Sequence, residues 1–374
     1  MNKKQILLLS LFGLSAMLLV IVSCRKDPKI LEYSPTPISV QLPAGVNPFV
    51  SPSDNPLTAE GVKLGRMLFY DPILSGNNGM SCASCHSQKF GFTDQGHQFS
   101  MGIDSIFGDR NSMPIFNLGW ERAMFWDGGS HNLETQVLGP LSSPFEMHET
   151  MANAVKELKA DPKYPNLFFA AFGSDSITSS MLMKAIAQFE RTVVSFNSYF
   201  DRTYPADKQF PDPKSRGIIA LNPKNTIERG YRIFSKENLP NSGHCWHCHG
   251  ADPRTNFFTD FEYHFNGLSF NGLDSGRQRI TRLERDKGFF KTPTLRNLAF
   301  TAPYMHDGRF KTLDEVIEHY DHGAMLWNTN DGLANFDLAK PMNFSFQDKA
   351  DLKAFLLSLS DSSLLTNNTL SNPF

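Results

Sequence analysis

The sequence predicts a mainly α-helical protein built from two tandem domains related by duplication. Three observations carry that expectation. A five-residue motif, Cys-x-x-Cys-His, occurs twice, at Cys82–His86 and at Cys245–His249. A set of landmarks recurs in the same order around both copies. The hydrophobic patterns that can be read have a helical period, and no run of alternating strands is visible.

The landmarks define the repeat. Asn117-Leu118, Trp126-Asp127-Gly128 and Leu133 return 180 residues later as Asn297-Leu298, His306-Asp307-Gly308 and Leu313. Upstream, Gly65 to Phe69 matches Gly230 to Phe234, and the motifs themselves lie 163 residues apart. A single match would mean nothing, but an ordered set is the signature of an internal repeat.

The helices follow from periodicity and capping. Met181–Ser195 and Ala152–Leu158 place apolar residues on one helical stripe. Thr312-x-x-Glu315 reads as a capping box, after which Leu313, Val316, Ile317 and Tyr320 share a face and Gly323 can end the helix.

Length and composition suit this architecture. A chain of 374 residues can form two domains of ordinary size, and 40% hydrophobic with 20% charged residues excludes extensive disorder. The net charge of −2 gives no basic field for nucleic acid or an acidic membrane surface. The 32 phenylalanines suit walls around a large flat cofactor, although a Phe-rich core needs none.

The N-terminus reads as an export signal. Lys3 and Lys4 precede an apolar run from Ile6 to Val22, which stops at Ile21-Val22-Ser23-Cys24. That tetrapeptide resembles a bacterial lipobox, so residues 1–23 are expected to be a lipoprotein signal peptide and Cys24 the lipidated residue. The alternative is a signal anchor. Residues 24–55, rich in Pro and Ser, read as a tether.

Cysteine usage is the tightest constraint. Of five cysteines, Cys24 belongs to the lipobox, and Cys82, Cys85, Cys245 and Cys248 form two identical pairs, leaving none for a disulfide. Two thiols at this spacing can add to the two vinyl groups of a porphyrin, and the adjacent His can ligate its iron. A zinc ribbon or a thioredoxin-like pair needs no His directly after each pair. The expected cofactors are therefore two covalently bound haem c groups. The expected domains are c-type cytochrome domains, an N-terminal one at 56–210 and a C-terminal one at 211–365.

Over about residues 56 to 360 the chain resembles the bacterial di-haem cytochrome c peroxidases and their MauG-type relatives. The motifs are Leu68-Phe69-Tyr70-Asp71-Pro72, Phe125-Trp126-Asp127-Gly128, Gly139-Pro140, Glu146-Met147 and Ala302-Pro303-Tyr304-Met305-His306-Asp307-Gly308. The resemblance implies an N-terminal haem that reacts with hydrogen peroxide and a C-terminal haem that relays electrons to it. It assigns Glu146 as the distal carboxylate that moves a proton, Gln136 as a distal amide, and Trp126 as the indole between the haems. It also places Asn111, Thr301 and Pro303 around a calcium ion, whose hardness calls for oxygen donors. Taken alone, these residues would read as a surface carboxylate, a helix-face amide and a core aromatic.

Two positions depart from the standard pattern. Aligning Ser100-Met101-Gly102-Ile103 puts Ile103 where standard members have an iron-capping His, so an open first haem is expected. His97 and Met101 lie nearby and are the possible substitutes. Where standard members place a Met ligand to the second iron, this chain has Tyr320, as MauG-type members do; Met325, His319 and His322 are the alternatives. An anionic phenolate favours ferric and higher states, whereas a thioether favours ferrous iron. Three readings follow: a peroxidase fed by a cytochrome or another exported donor, a MauG-like oxidase of a partner protein, or a di-haem carrier or sensor. A membrane anchor and a homodimer are further expectations, and nucleic acid is not an expected partner.

Overall fold

The computed structural model describes residues 32–204, 224–235, 243–250, 257–268, 274–322 and 341–374. Cys24, Gly323 and Met325 lie outside them. Fourteen helices are described. The first eight are α1 (Ala59–Tyr70), α2 (Cys82–Cys85), α3 (Leu133–Gln136), α4 (Leu138–Ser142), α5 (Met151–Ala160), α6 (Tyr164–Phe172), α7 (Ser179–Thr192) and α8 (Tyr199–Thr203). The remainder are α9 (Thr226–Ser235), α10 (Trp246–His249), α11 (Gln278–Thr281), α12 (Leu313–Asp321), α13 (Phe346–Ser358) and α14 (Ser363–Thr366). Strand is confined, among the described residues, to an antiparallel pair of two-residue strands, β1 (Tyr263–His264) and β2 (Phe290–Lys291).

The same helix crossing is built twice. In the first half α1 packs on α7 at Gly65, where a Cβ would stand 1.9 Å from the Ala185 carbonyl oxygen. In the second half α9 packs on α13 at Gly230, where a Cβ would stand 2.0 Å from the Asp351 carbonyl oxygen. Only glycine lets two backbones come so close. Beside each glycine an aromatic pair seals the crossing, Phe69 with Phe189 at 5.2 Å and Phe234 with Phe355 at 5.1 Å between ring centres. Two mainly helical cytochrome domains related by duplication are thus visible in matched packing as well as in matched letters.

Each half has its own core. Leu64, Leu68, Leu158, Phe168, Leu182 and Ile186 lie within the first, and Tyr231, Phe234, Phe258, Ile317, Leu352 and Phe355 within the second. A third cluster joins the ends of the chain: Leu364 and Leu370 pack against Phe69, Phe92 and Phe189. Gln88 Nε2 donates to the Leu364 and Asn367 carbonyls at 3.0 and 2.9 Å, and the Tyr70 hydroxyl donates to the Leu370 carbonyl at 2.8 Å. Residues 35–374 accordingly form one compact unit.

Local expectations are met with shifts at the ends. The stripe predicted from Met181 starts at Ser179, two residues earlier, because Thr178 caps the helix by accepting from the Met181 N–H. The Thr312–Glu315 capping box is present on α12. The segment expected as a tether is not loose over its second half. Val46 is buried with Phe196 and Phe257, Phe49 meets Trp120 edge-on at 5.0 Å, and the Trp120 indole donates to the Asn47 carbonyl. Isolated apolar residues in a polar, Pro-rich stretch carry no periodicity, so their docking does not show in the letters. No helix among the described residues is long and apolar enough to cross a membrane.

Candidate haem sites

Both Cys-x-x-Cys-His motifs fold as one short helical turn, α2 and α10, with all four thiols free of disulfides. The His that follows is oriented the same way each time. His86 Nδ1 lies 3.1 Å from the Phe92 carbonyl, and His249 Nδ1 lies 3.0 Å from the Phe258 carbonyl. A carbonyl can only accept, so Nδ1 carries the proton and Nε2 keeps its lone pair. Burial holds both imidazoles below the usual range, which keeps them neutral, as a metal ligand must be. Phe92 and Phe258 reach these positions with φ of 61° and 55°, a conformation rare for bulky residues. The residues present therefore fit a covalent haem at each motif.

A cavity of about 220 Å³, open to solvent on one side, adjoins the second motif. Cys245, Cys248 and His249 line it together with Tyr320, Trp126, Asn111, Thr301 and Pro303. The fold thus gathers five of the singled-out residues from both halves around one motif. Tyr320 projects from α12 into this space. Burial first, then the Cys248 and Cys245 thiols, push its phenol well above the usual tyrosine range. Of the alternatives, His319 is committed through Nε2 to the Asn266 carbonyl at 3.0 Å, and His322 is exposed and paired with Glu318.

Trp126 is buried, and its indole donates to the Asn111 carbonyl at 2.9 Å. The next residue, Ser112, donates to the Cys85 carbonyl at 3.0 Å and lies 3.4 Å from His86 Nδ1, yet it also lines the cavity of the second motif. The strand of chain from Asn111 to Pro114 therefore touches both sites. Ser112 carries no chemical signal of its own in the sequence, although the 180-residue repeat sets Ser112 and Pro114 over Thr292 and Thr294, which line the same cavity. Asn111 spends its amide nitrogen on the His97 and Gln98 carbonyls at 3.2 and 3.1 Å, which turns its Oδ1 away from them.

Glu146 lies near the first motif. Burial, then neighbouring carboxylates with Glu146 among them, raise the Cys82 and Cys85 thiols to about 12 and about 11. By area Glu146 is exposed, yet burial lifts its own carboxyl, helped by Asp109 and opposed by Ser143. A side chain can keep accessible area while protein displaces much of the water around it, and the carboxyl rises for that reason. The Ile103 N–H donates to the Glu146 carbonyl at 2.8 Å, so the segment with Ile in place of a ligand runs beside Glu146. His97 is exposed and held by Asp94 at 2.7 Å, and Met101 is 52% exposed. Gln136 is half-buried at the end of α3.

A family model described as di-haem cytochrome c peroxidase matches residues 59–209. The methylamine utilization protein MauG of Methylophilus methylotrophus is 33% identical over 84% of this chain and 86% of its own length. The chain belongs to the di-haem cytochrome c peroxidase family. Cytochrome c551 peroxidase of Nitrosomonas europaea is 35% identical over 70% of this chain and 73% of that protein. A solved MauG-like protein associated with microbial copper homeostasis superposes with a TM-score of 0.76 at 32% identity, covering 90% of this chain and 99% of that one. As a di-haem peroxidase the chain carries two haem c groups and is an oxidoreductase of the haem peroxidase type.

Proposed function

We propose that hydrogen peroxide is reduced at the haem held by Cys82, Cys85 and His86, with electrons relayed through the haem held by Cys245, Cys248 and His249. When bound, the haem iron supplies the site for peroxide and the means of exchanging electrons. Converting hydrogen peroxide into two waters consumes two electrons and two protons, and the proton traffic falls to the protein. Glu146 would take a proton from one peroxide oxygen and give it to the other, for which a carboxyl held above its usual range by burial is suited. Gln136 orients the peroxide by hydrogen bonding, and Trp126 assists electron passage between the sites. The observation that carries this reading is the bond from the Ile103 N–H to the Glu146 carbonyl, which sets a residue unable to ligate iron beside the acid.

In this reading Tyr320 would hold the second haem iron together with His249, and Asn111, Thr301 and Pro303 would hold one calcium ion through oxygen donors. The electron donor is a cytochrome or another exported protein. Cys24 carries the lipid anchor at the end of the 1–23 signal peptide, and the domains divide at 56–210 and 211–365. A homodimer is compatible with this arrangement. Steady-state peroxide turnover with a reduced cytochrome tests the mechanism. Glu146→Gln is expected to lower kcat on the order of 10²–10⁴-fold, the usual worth of a positioned acid–base. Equal turnover by both proteins would sink it.

A second reading rests on Tyr320 at the cavity wall. An anionic oxygen ligand favours oxidised iron, which suits oxidation of side chains on a partner protein. Peroxide-dependent cross-linking or hydroxylation of a co-expressed partner, in the absence of cytochrome, would support it over the first.

A further inference from the structure

The duplication exposes one position where the halves differ in chemistry. The helix crossings share a register of 166 residues, Ala185 with Asp351 and Phe189 with Phe355, at Gly65 and Gly230 respectively. The same register pairs Glu190 with Leu356. Leu356 lines the cavity of the second motif together with Cys245. Glu190 is its counterpart on α7, 3% exposed, and its charge acts on the Cys82 thiol, the partner of Cys245. One Glu190 carboxyl oxygen, Oε2, is buried without a hydrogen-bond partner.

An unsatisfied buried carboxyl is costly and is found where it has work to do. The titratable groups acting on it are few. Arg191 of its own helix is engaged by Glu134 of α3 at 2.7 Å, and Cys82 approaches from α2. The neighbouring helices α1, α5 and α6 present apolar residues to α7, such as Leu64, Leu158 and Phe168. Burial raises the Glu190 carboxyl to about 8, with Arg191 opposing and Glu134 adding to the rise.

We propose that Glu190 is a redox-linked acid of the first haem. Where the carboxyl is ionised beside the oxidised haem, each electron entering that haem brings one proton to the Glu190 carboxylate, and each electron leaving sends the proton back to solvent. Charge is balanced in both directions: the added negative charge at iron is met by neutralising the carboxylate, and iron oxidation by restoring it. The inference rests on a haem at the first motif but not on peroxide chemistry.

Spectroelectrochemical titration of the full di-haem protein between pH 5.5 and 9 tests it, with no peroxide present. The potential of the first haem is expected to be level where the carboxyl already holds its proton and to fall above about pH 8, tending to tenfold per pH unit, or about 59 mV per unit for one electron. In Glu190→Gln and Glu190→Leu that slope vanishes while the second haem is unchanged. A wild-type potential independent of pH, or a slope that survives in the variants, overturns the proposal. Should both variants fail to mature, redox-difference infrared spectra of the wild type decide: a protonated-carboxyl band must appear on reduction and shift in D₂O. Its absence refutes the assignment. Loss of turnover in Glu146→Gln would leave all these readings unaffected.

Discussion

Asn117 and Asn297, equivalent residues of the two halves, converge on one residue, Ser195. Asn117 Nδ2 donates to the Ser195 carbonyl at 3.2 Å and its Oδ1 accepts from the Ser195 N–H at 2.9 Å. Asn297 Nδ2 donates to Ser195 Oγ at 2.9 Å, and its Oδ1 accepts from the Asp361 N–H at 2.8 Å. Both asparagines have positive φ, 56° and 64°, which Asn tolerates better than most residues. Asn297→Ala should therefore destabilise the protein by about 2–4 kcal/mol, from unpaired buried groups and an unfavourable backbone. Thermal unfolding followed at the haem absorbance would show it; an unchanged Tm would contradict the junction.

The close crossings should resist a single methyl group. Gly230→Ala puts a Cβ against the Asp351 carbonyl, which belongs to a helix and cannot swing aside as a side chain can. We expect a loss of about 1–3 kcal/mol or more. Gly65→Ala should behave alike in the first half, and denaturant titration of both variants checks the symmetry.

A buried ion pair gives a pH dependence. Arg296 is fully buried and grips Asp201 through two nitrogens at 2.9 and 2.7 Å. Burial would raise the Asp201 carboxyl, but the Arg296 charge and its hydrogen bonds override that and hold it below 3.8. A carboxyl depressed in the folded state stabilises the fold above its unfolded value and loses that contribution as pH falls toward its folded one. Melting temperature should drop below pH 4 in the wild type. In Asp201→Asn the protein should already be weaker at pH 7, by about 3–5 kcal/mol, with a shallower acid limb.

Replacing the phenol tests the second site. Tyr320→Met is expected to raise the potential of the second haem, because a thioether stabilises ferrous iron. A methionine–iron charge-transfer band should appear in the ferric spectrum. If neither changes, Tyr320 is a cavity wall and no more.

Much of this was legible in the letters. The two Cys-x-x-Cys-His motifs, the 180-residue landmarks and the Thr312–Glu315 box depend only on neighbours in sequence, so the fold and the haem positions could be read. Other features depend on where distant backbone ends up. Phe92 and Phe258 orient the haem histidines through carbonyl groups, to which any residue type contributes equally. The side chains of Val46 and Phe49 carry no period, so the docking of their segment could not be anticipated. Glu190 sits on a stripe that reads as ordinary helix core until the glycine crossings fix its register against Leu356.

The cluster made by Leu364 and Leu370 sets an order of events. These residues complete a core whose other members, Phe69, Phe92 and Phe189 among them, are synthesised long before them. The first half must wait, with an unfinished wall, until residues 364 and 370 have been made. A stop codon before residue 364 would thus injure the domain that was made first.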